Sequence, residues 1–332
     1  MKKIQILPAD RIAVLCDENT AKCCYPLIKT DLPEHVLITV PAGDEHKNIN
    51  TLMSVWTAMQ SHGMTRHSWL VNLGGGMVTD LGGMAAATYK RGIKFTNIPT
   101  TLLAMVDAAT GGKTGVNFNG LKNEIGLFKE AEEVVIDTDF LKTLDNDNLR
   151  AGFAEMLKHA LLKDENFWAE HLNFCLGNVD YEKLQLLVNQ SVEVKRDIVR
   201  QDPREKGLRK ALNLGHTVGH AIESLYLERE KPLLHGYAVA WGMVAELYLS
   251  VMNCGFPTEK MRQTVQFINE NYGRPAIVCD DYDKLLDLMR HDKKNRGDDI
   301  NFTLLSDVGR IALDQTVNVE KIKEALDFLR EG

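Results

Sequence analysis

The sequence has no apolar run approaching the ~20 residues that span a bilayer, so no membrane partner is expected. Its start, MKKIQILPADRIAVLCDENT, has short apolar stretches interrupted by Pro8, Asp10 and Arg11, which does not read as a signal peptide. The six cysteines form no metal-type CxxC pair; Cys23 and Cys24 are merely adjacent. The expectation is reduced thiols in a cytoplasmic protein. Positive charge is not in excess: 39 Lys and Arg against 46 Asp and Glu give a net charge of −7. That argues against a nucleic-acid partner held through its phosphates, but not against a small anion at a locally basic site. Internal repeats and low-complexity linkers are also missing. What remains is ordinary globular usage, 44% hydrophobic and 26% charged.

At ~150 residues per domain, 332 residues suggest two domains. RIAVLC (11–16), HVLITV (35–40), SWLVNL (68–73), IKFTNIPT (93–100) and EEVVID (132–137) are short β-favouring runs. NTLMSVWTAMQSHG (50–63) and DLGGMAAATYKRG (80–92) have helical spacing. Such alternation predicts a mostly parallel sheet covered by helices. From about Asp145 the pattern changes to long amphipathic stretches: DNLRAGFAEMLKHALLKD, YEKLQLLVNQSVEVKRDIVRQD and GYAVAWGMVAELYLSVMNCG. NFTLLSD (301–307) is a short β piece near the end. We read an N-terminal α/β domain over 1–147 and a mainly α-helical C-terminal domain over 148–332.

In NLGGGMVTD, Gly74, Gly75 and Gly76 stand between a strand and a helix. Glycine lets backbone approach a ligand, and a helix N-terminus favours phosphate. A tight strand-to-helix turn explains the same residues. Neither GxGxxG nor P-loop spacing is met, since Thr79 stands in the third glycine position and no GK[ST] follows. Asp80 reads as a ribose ligand or, more simply, as a helix cap. The segment 100–126, TTLLAMVDAATGGKTGVNFNGLKNEIG, sets Lys113 and Lys122 among glycines, near Asp107 and Asn123. A lysine in a glycine-rich loop reaches phosphate or carboxylate as a mobile charge, although a single lysine is more often simply solvated.

Three patches carry metal-ligand chemistry. Glu155 precedes Lys158 and His159 in AGFAEMLKH. His216 and His220 stand four apart in NLGHTVGHAIE, hence on one helix face. His235 lies in LLHGYAV. Imidazole nitrogen and carboxylate oxygen suit a borderline divalent ion, and a catalytic centre keeps three protein ligands and an open position. Spacing alone nominates His216 and His220 as a pair.

GDEHK (43–47), GGGMVTDLGG (74–83), YKRG (89–92), IPTTLLAMVDAATGGKTGVN (98–117), KNEIG (122–126), GFAEMLKH (152–159), GLRKALNLGHTVGHAIE (207–223), LHGYAVAWGM (234–243) and DKK (292–294) occur in this order. Together they make the sequence resemble the 3-dehydroquinate synthases, of the sugar-phosphate cyclase superfamily, along nearly its whole length. The resemblance implies a nucleotide-binding α/β domain and a helical domain, paired as a homodimer, with NAD and zinc or cobalt as cofactors. It implies Glu155, His216 and His235 as metal ligands, leaving His220 as a nearby active-site group. It implies NAD at Gly74, Gly75, Gly76, Asp80, Thr100 and Thr101, with Asp44, Lys47, Lys113, Lys122 and the stretch from Phe140 to Thr143 around it. Some positions depart from the pattern. Asp44 stands where the family usually has Glu, with Glu45 next. Leu121 and Glu124 differ from the usual glycine and apolar residue, and Tyr237 replaces an acidic residue. None of these is an implied metal ligand.

The implied reaction converts a small sugar acid phosphate, 3-deoxy-arabino-heptulosonate 7-phosphate, to 3-dehydroquinate and phosphate, a step of the shikimate pathway. NAD is required without net redox change. Oxidising one hydroxyl acidifies the neighbouring C–H, phosphate leaves, the ketone is reduced again, and ring opening and an intramolecular aldol closure follow. The metal serves as Lewis acid. By resemblance, Arg209 and Lys195 hold the carboxylate, Arg through its planar fork. Lys113, Asn123 and a lysine of 292–294 lie toward the phosphate, with Arg91 of the partner subunit reaching in. Asp107, Lys158 and Asn213 orient hydroxyls, and His220 relays protons. Arg209, Asn213 and His216 are expected on one face of a single helix. The local field of these cations steers a doubly anionic substrate despite the negative net charge. The alternatives are another sugar-phosphate cyclase, such as 2-deoxy-scyllo-inosose synthase, whose substrate lacks the carboxylate, and a metal-dependent polyol dehydrogenase, which has no use for phosphate-facing lysines.

Overall fold

The computed structural model describes residues 9–119, 121–291 and 300–332; the DKK stretch lies outside them. The chain divides into two compact units, Met1–Asp145 and Asn146–Gly332.

The first unit is built on a parallel five-stranded sheet. Its strands are β1 (Ile12–Asp17), β2 (Val36–Val40), β3 (Trp69–Gly74), β4 (Lys94–Pro99) and, after the hairpin β5 (Lys113–Phe118) and β6 (Leu121–Phe128), the two-residue β7 (Glu133–Val134). Their order is β2-β1-β3-β4-β7. Every residue of β1 and β3 is buried, as strands covered on both faces require, which explains their near-continuous apolar runs. The helices are α1 (Glu18–Cys23), α2 (Tyr25–Ile28), α3 (Ile49–Ser61) and α4 (Gly76–Thr88). Leu15, Leu52, Val55, Met59, Leu70, Val78, Leu81 and Phe95 share one core. Strand order reverses between β1 and β3, so the carboxyl ends of these strands mark the crevice where open α/β sheets bind ligands.

Two expectations are corrected here. Segment 100–126 is not a loop. A turn of π-helix (Ala104–Ala108) leads into the antiparallel β5–β6 pair, so Lys113 and Lys122 lie on strands. Its glycines hide the alternation: Gly115 and Gly126 face each other where any Cβ would meet partner backbone at 2.7 and 2.3 Å. Asp80 is no cap either, because α4 starts at Gly76 with Gly75 in the capping position.

The second unit is mainly helical: α5 (Asn146–Lys163), α6 (Glu165–Leu172), α7 (Tyr181–Gln201), α8 (His216–Glu228), α9 (His235–Cys254), α10 (Thr258–Tyr272), α11 (Tyr282–Arg290) and α12 (Val319–Glu331). NFTLLSD forms β8 (Asn301–Asp307), paired with a second strand, β9 (Arg310–Thr316). Helix α9 is apolar nearly all round and packs against α5, α8, α10, α12 and β8, which places it at the centre of this unit. Among the described residues no helix is long and apolar enough to cross a membrane.

Candidate active site

Helix α9 draws its neighbours in through glycine. A Cβ on Gly236 would sit 1.9 Å from the Ala151 carbonyl oxygen, and one on Gly242 would sit 1.9 Å from that of Gly215. The first contact lies on α5, four residues before Glu155. The second lies immediately before His216, the first residue of α8. His235 is the first residue of α9 itself. Side chains spread over 80 positions of sequence therefore meet.

Glu155 is fully buried. Its Oε1 stands 3.4 Å from His216 Nε2 and 3.5 Å from His235 Nε2, and its Oε2 is ion-paired with the buried Lys158. Beyond that ion pair, neither carboxylate oxygen has a hydrogen-bond partner. The opposite ring nitrogens are engaged: His216 Nδ1 donates to the Leu214 carbonyl at 3.1 Å, and His235 Nδ1 meets Glu223 Oε2 at 3.2 Å. Such outer contacts fix tautomers and leave both Nε2 atoms facing Glu155. One carboxylate and two imidazoles, buried and otherwise unsatisfied, fit a divalent ion with an open position. His220 adds its ring 5.2 Å from His216 and 5.8 Å from His235, so three imidazoles also come within ligating range. The buried carboxylate between two of these rings favours the set that includes Glu155.

The electrostatics agree. Burial disfavours the Glu155 carboxylate, but Lys158 and His216 outweigh it and hold its pKa well below the usual range. Burial, aided by Lys158, lowers His216 to about 3, which keeps its nitrogen available to a metal. Burial also opposes charge on His235, yet the Glu223 and Glu155 carboxylates prevail and raise it to about 10. The two carboxylates beside the Lys158 ammonium thus favour a further positive charge at this point, which here is the proton on His235. Glu223 was not singled out from sequence; its only signal there is its place within the GHTVGHAIE string.

Arg209, Asn213 and His216 do not share a helix. A 3₁₀ turn (Leu208–Asn213) ends at Leu214, and Gly215 takes φ +79° before α8 begins, a conformation glycine adopts without cost. Arg209 is held another way. Asp202 accepts the backbone N–H groups of Lys206, Gly207 and Arg209 at 3.0, 2.7 and 3.1 Å, and Arg209 Nη1 donates to the Pro203 carbonyl at 2.8 Å. Asn213 Nδ2 donates to Glu205 Oε1 at 3.1 Å. Glu205 is the acid that the sequence offers as a partner for Arg209, whereas Asp202 escaped the sequence reading because its partners lie in the same irregular loop. Lys195, on α7, is buried.

In the first unit the glycine turn joins β3 to α4. No side chain caps α4, and a Cβ on Gly75 would come within 3.0 Å of Thr101. Thr100 N–H bonds the Gly74 carbonyl at 3.0 Å, closing the turn. Beside it, the buried Lys47 Nζ donates to Asp80 Oδ2 at 3.1 Å and Asn123 Oδ1 at 2.7 Å, and lies 3.4 Å from Asp44 Oδ1; Lys122 stands 3.7 Å from Asp44. Asn123 thus joins the Asp44–Lys47–Asp80 group. Phe140 is buried, and Thr143 Oγ1 donates to its carbonyl at 2.7 Å, next to Cys24. Asp107 is half-buried, Lys113 is exposed, and Arg91 sits in a tight turn with φ +70°.

A family described as 3-dehydroquinate synthase N-terminal matches residues 37–151, and 3-dehydroquinate synthase C-terminal matches 152–295. A 3-dehydroquinate synthase of Parabacteroides distasonis is 53% identical over 329 residues, 98% of this chain and 93% of its own. Among solved structures, 2-epi-5-epi-valiolone synthase of Streptomyces hygroscopicus subsp. jinggangensis, with NAD+ and Zn2+ bound, aligns at TM-score 0.82 and 26% identity, covering 96% of this chain and 90% of that one. A 2-deoxy-scyllo-inosose synthase complexed with carbaglucose-6-phosphate, NAD+ and Co2+ aligns at TM-score 0.86 and 24% identity, covering 98% and 91%, a likeness of fold. With both halves matched and a relative more than half identical from end to end, the chain belongs to the 3-dehydroquinate synthase family.

Proposed function

We propose that the protein is a 3-dehydroquinate synthase that converts 3-deoxy-arabino-heptulosonate 7-phosphate to 3-dehydroquinate and phosphate, as a cytoplasmic homodimer. The observation that carries this reading is the buried Glu155 carboxylate, ion-paired with Lys158 and facing two imidazoles held from behind, in a chain that matches the family throughout. Zinc or cobalt there supplies a Lewis acid, and NAD supplies a reversible oxidation, so the reaction ends without net redox change.

The chain's own residues do the rest. Glu155, His216 and His235 hold the ion, with Glu223 orienting His235. Lys158, pinned by Glu155, offers its remaining N–H groups to substrate hydroxyls, with Asn213. Arg209 presents a planar fork to the carboxylate, and its loop is already fixed by Asp202, so little freedom is lost on binding. Lys195 adds a second charge, Lys113 serves the phosphate, and His220 passes protons through water. In the first unit, the uncapped start of α4 takes the NAD pyrophosphate, lined by Gly74, Gly75, Gly76, Thr100, Thr101, Phe140 and Thr143, while Asp44, Lys47, Asp80, Lys122 and Asn123 form the polar group beside it.

The test is the purified protein with the heptulosonate phosphate. Expected is phosphate release that needs NAD and a divalent ion and leaves no NADH behind. NADH accumulating in step with substrate loss assigns a dehydrogenase instead, and absence of phosphate release with both cofactors present overturns the reading.

A further inference from the structure

One charged residue of the helical unit lies beyond the site described so far. Glu246 stands in the apolar middle of α9 and is completely buried. Its Oε2 accepts the backbone N–H of Gly215 at 2.6 Å, and its Oε1 accepts those of Thr217 at 3.0 Å and Val218 at 3.2 Å. These three donors straddle His216. Helix α8 has no cap from its own sequence, since Gly215 occupies that position. A carboxylate from the neighbouring helix thus satisfies amides that a helix start leaves without intrahelical partners. The same segment is held from the other side by the approach of Gly242 to the Gly215 carbonyl, and His216 Nδ1 is tied to Leu214. Backbone and ring are therefore both fixed, and Glu246 is the charged member of that set.

We infer that Glu246 is a positioning residue for His216: it locks the first turn of α8 so that His216 Nε2 is aimed at the point shared with Glu155 and His235. This rests on the metal-centre reading above. Glutamine is nearly isosteric but has one acceptor oxygen, and its amide N–H2 would face a backbone N–H. Outer contacts of this kind typically alter metal affinity by about 10- to 100-fold.

The experiment is cobalt(II) binding to the full-length protein, read as affinity by competition with a chelator and as the visible absorption spectrum of the bound ion. Glu246→Gln is expected to bind cobalt about 10- to 100-fold more weakly, with an altered spectrum. Ser250→Ala is the structural control. The Ser250 hydroxyl bonds the Glu246 carbonyl at 2.7 Å and the Leu305 N–H at 3.1 Å, away from α8. Its loss should lower the melting temperature while leaving affinity and spectrum unchanged. A folded Glu246→Gln protein with wild-type affinity and spectrum overturns the inference. Should that variant not fold, Glu246→Asp decides, because a carboxylate one methylene short does not span the three donors: weaker cobalt binding supports the role, and wild-type binding overturns it. If the wild-type protein takes up no cobalt, or Glu155→Ala leaves uptake intact, the metal-centre reading fails instead.

Discussion

Gly236→Ala tests whether the close approach of α9 to α5 sets the proposed metal centre. The added methyl would start 1.9 Å from the Ala151 carbonyl oxygen and 2.4 Å from its Cα, whereas ordinary contacts begin at 3.4 Å. The obstruction is backbone, so no rotamer relieves it, and the start of α9 must withdraw by about 1.5 Å. His235 is the residue before Gly236, so its Nε2 recedes from Glu155 by a comparable distance. Metal sites tolerate about 0.2 Å in ligand distances, so the imidazole is lost as a ligand or the ion is held under strain. Overpacking of this kind costs about 1–3 kcal/mol of stability. We expect cobalt affinity to fall by at least about 100-fold, or about 2.7 kcal/mol. Thermal melting and cobalt competition, run beside Gly177→Ala, read both effects. A Cβ at Gly177 meets nothing within 4 Å, so that variant should behave as wild type. A Gly236→Ala protein that keeps wild-type cobalt affinity would refute the reasoning, because the helix contact would then not control the ligand distance.

Arg209→Lys should leave folding and metal content near wild type, because the backbone at this position is held by Asp202. With the fork gone, one charge-assisted hydrogen bond worth about 1.5–3 kcal/mol is lost and kcat/KM drops about ten- to hundred-fold; unchanged turnover would remove Arg209 from carboxylate binding. His171 sets an acid limit on stability. Burial, opposed by its hydrogen bond to the Phe167 carbonyl, lowers its pKa from 6.5 to about 4. The unfolded chain then binds a proton that the folded one does not, so stability is full above about pH 6.5 and declines as pH falls toward about 4. The share owed to His171 is about 2 kcal/mol between about pH 7 and pH 5, and urea unfolding of His171→Phe should show that much less pH dependence. An equal slope in the two proteins would contradict it.

The sheet was legible because β1 and β3 are buried on both faces and so read as unbroken apolar runs. The glycines after SWLVNL marked the end of β3. The β5–β6 hairpin was not legible, since glycines at facing positions erase the period-two signal. In GLRKALNLGHTVGH the apolar spacing reads through Leu214 as one helix, and Gly215 was the sole sign of a break. Spacing alone paired His216 with His220. Glu155 and His235 come beside His216 through tertiary packing on α9, which no local period reports. Glu223 and Glu246 were invisible for the same reason, each acting on a helix other than its own or on that helix's neighbour.

The shared bed on α9 has a consequence for the order of assembly. Helices α8 and α9 are joined by the short connection 229–234, so their pairing closes a small loop and brings the two imidazoles together at low entropic cost. Helix α5 lies far earlier in the chain, beyond α6 and α7, so its docking on α9 closes a much longer loop at a higher entropic cost. Were that docking to follow the α8–α9 pairing, the Glu155 carboxylate would join the two imidazoles last, and an ion held by all three would be completed only then. An ion whose coordination is completed only at that step prolongs the life of the folded unit without hastening its formation. Chelation should accordingly speed unfolding more than it slows refolding, making the ion a clasp on the finished structure rather than a seed for it.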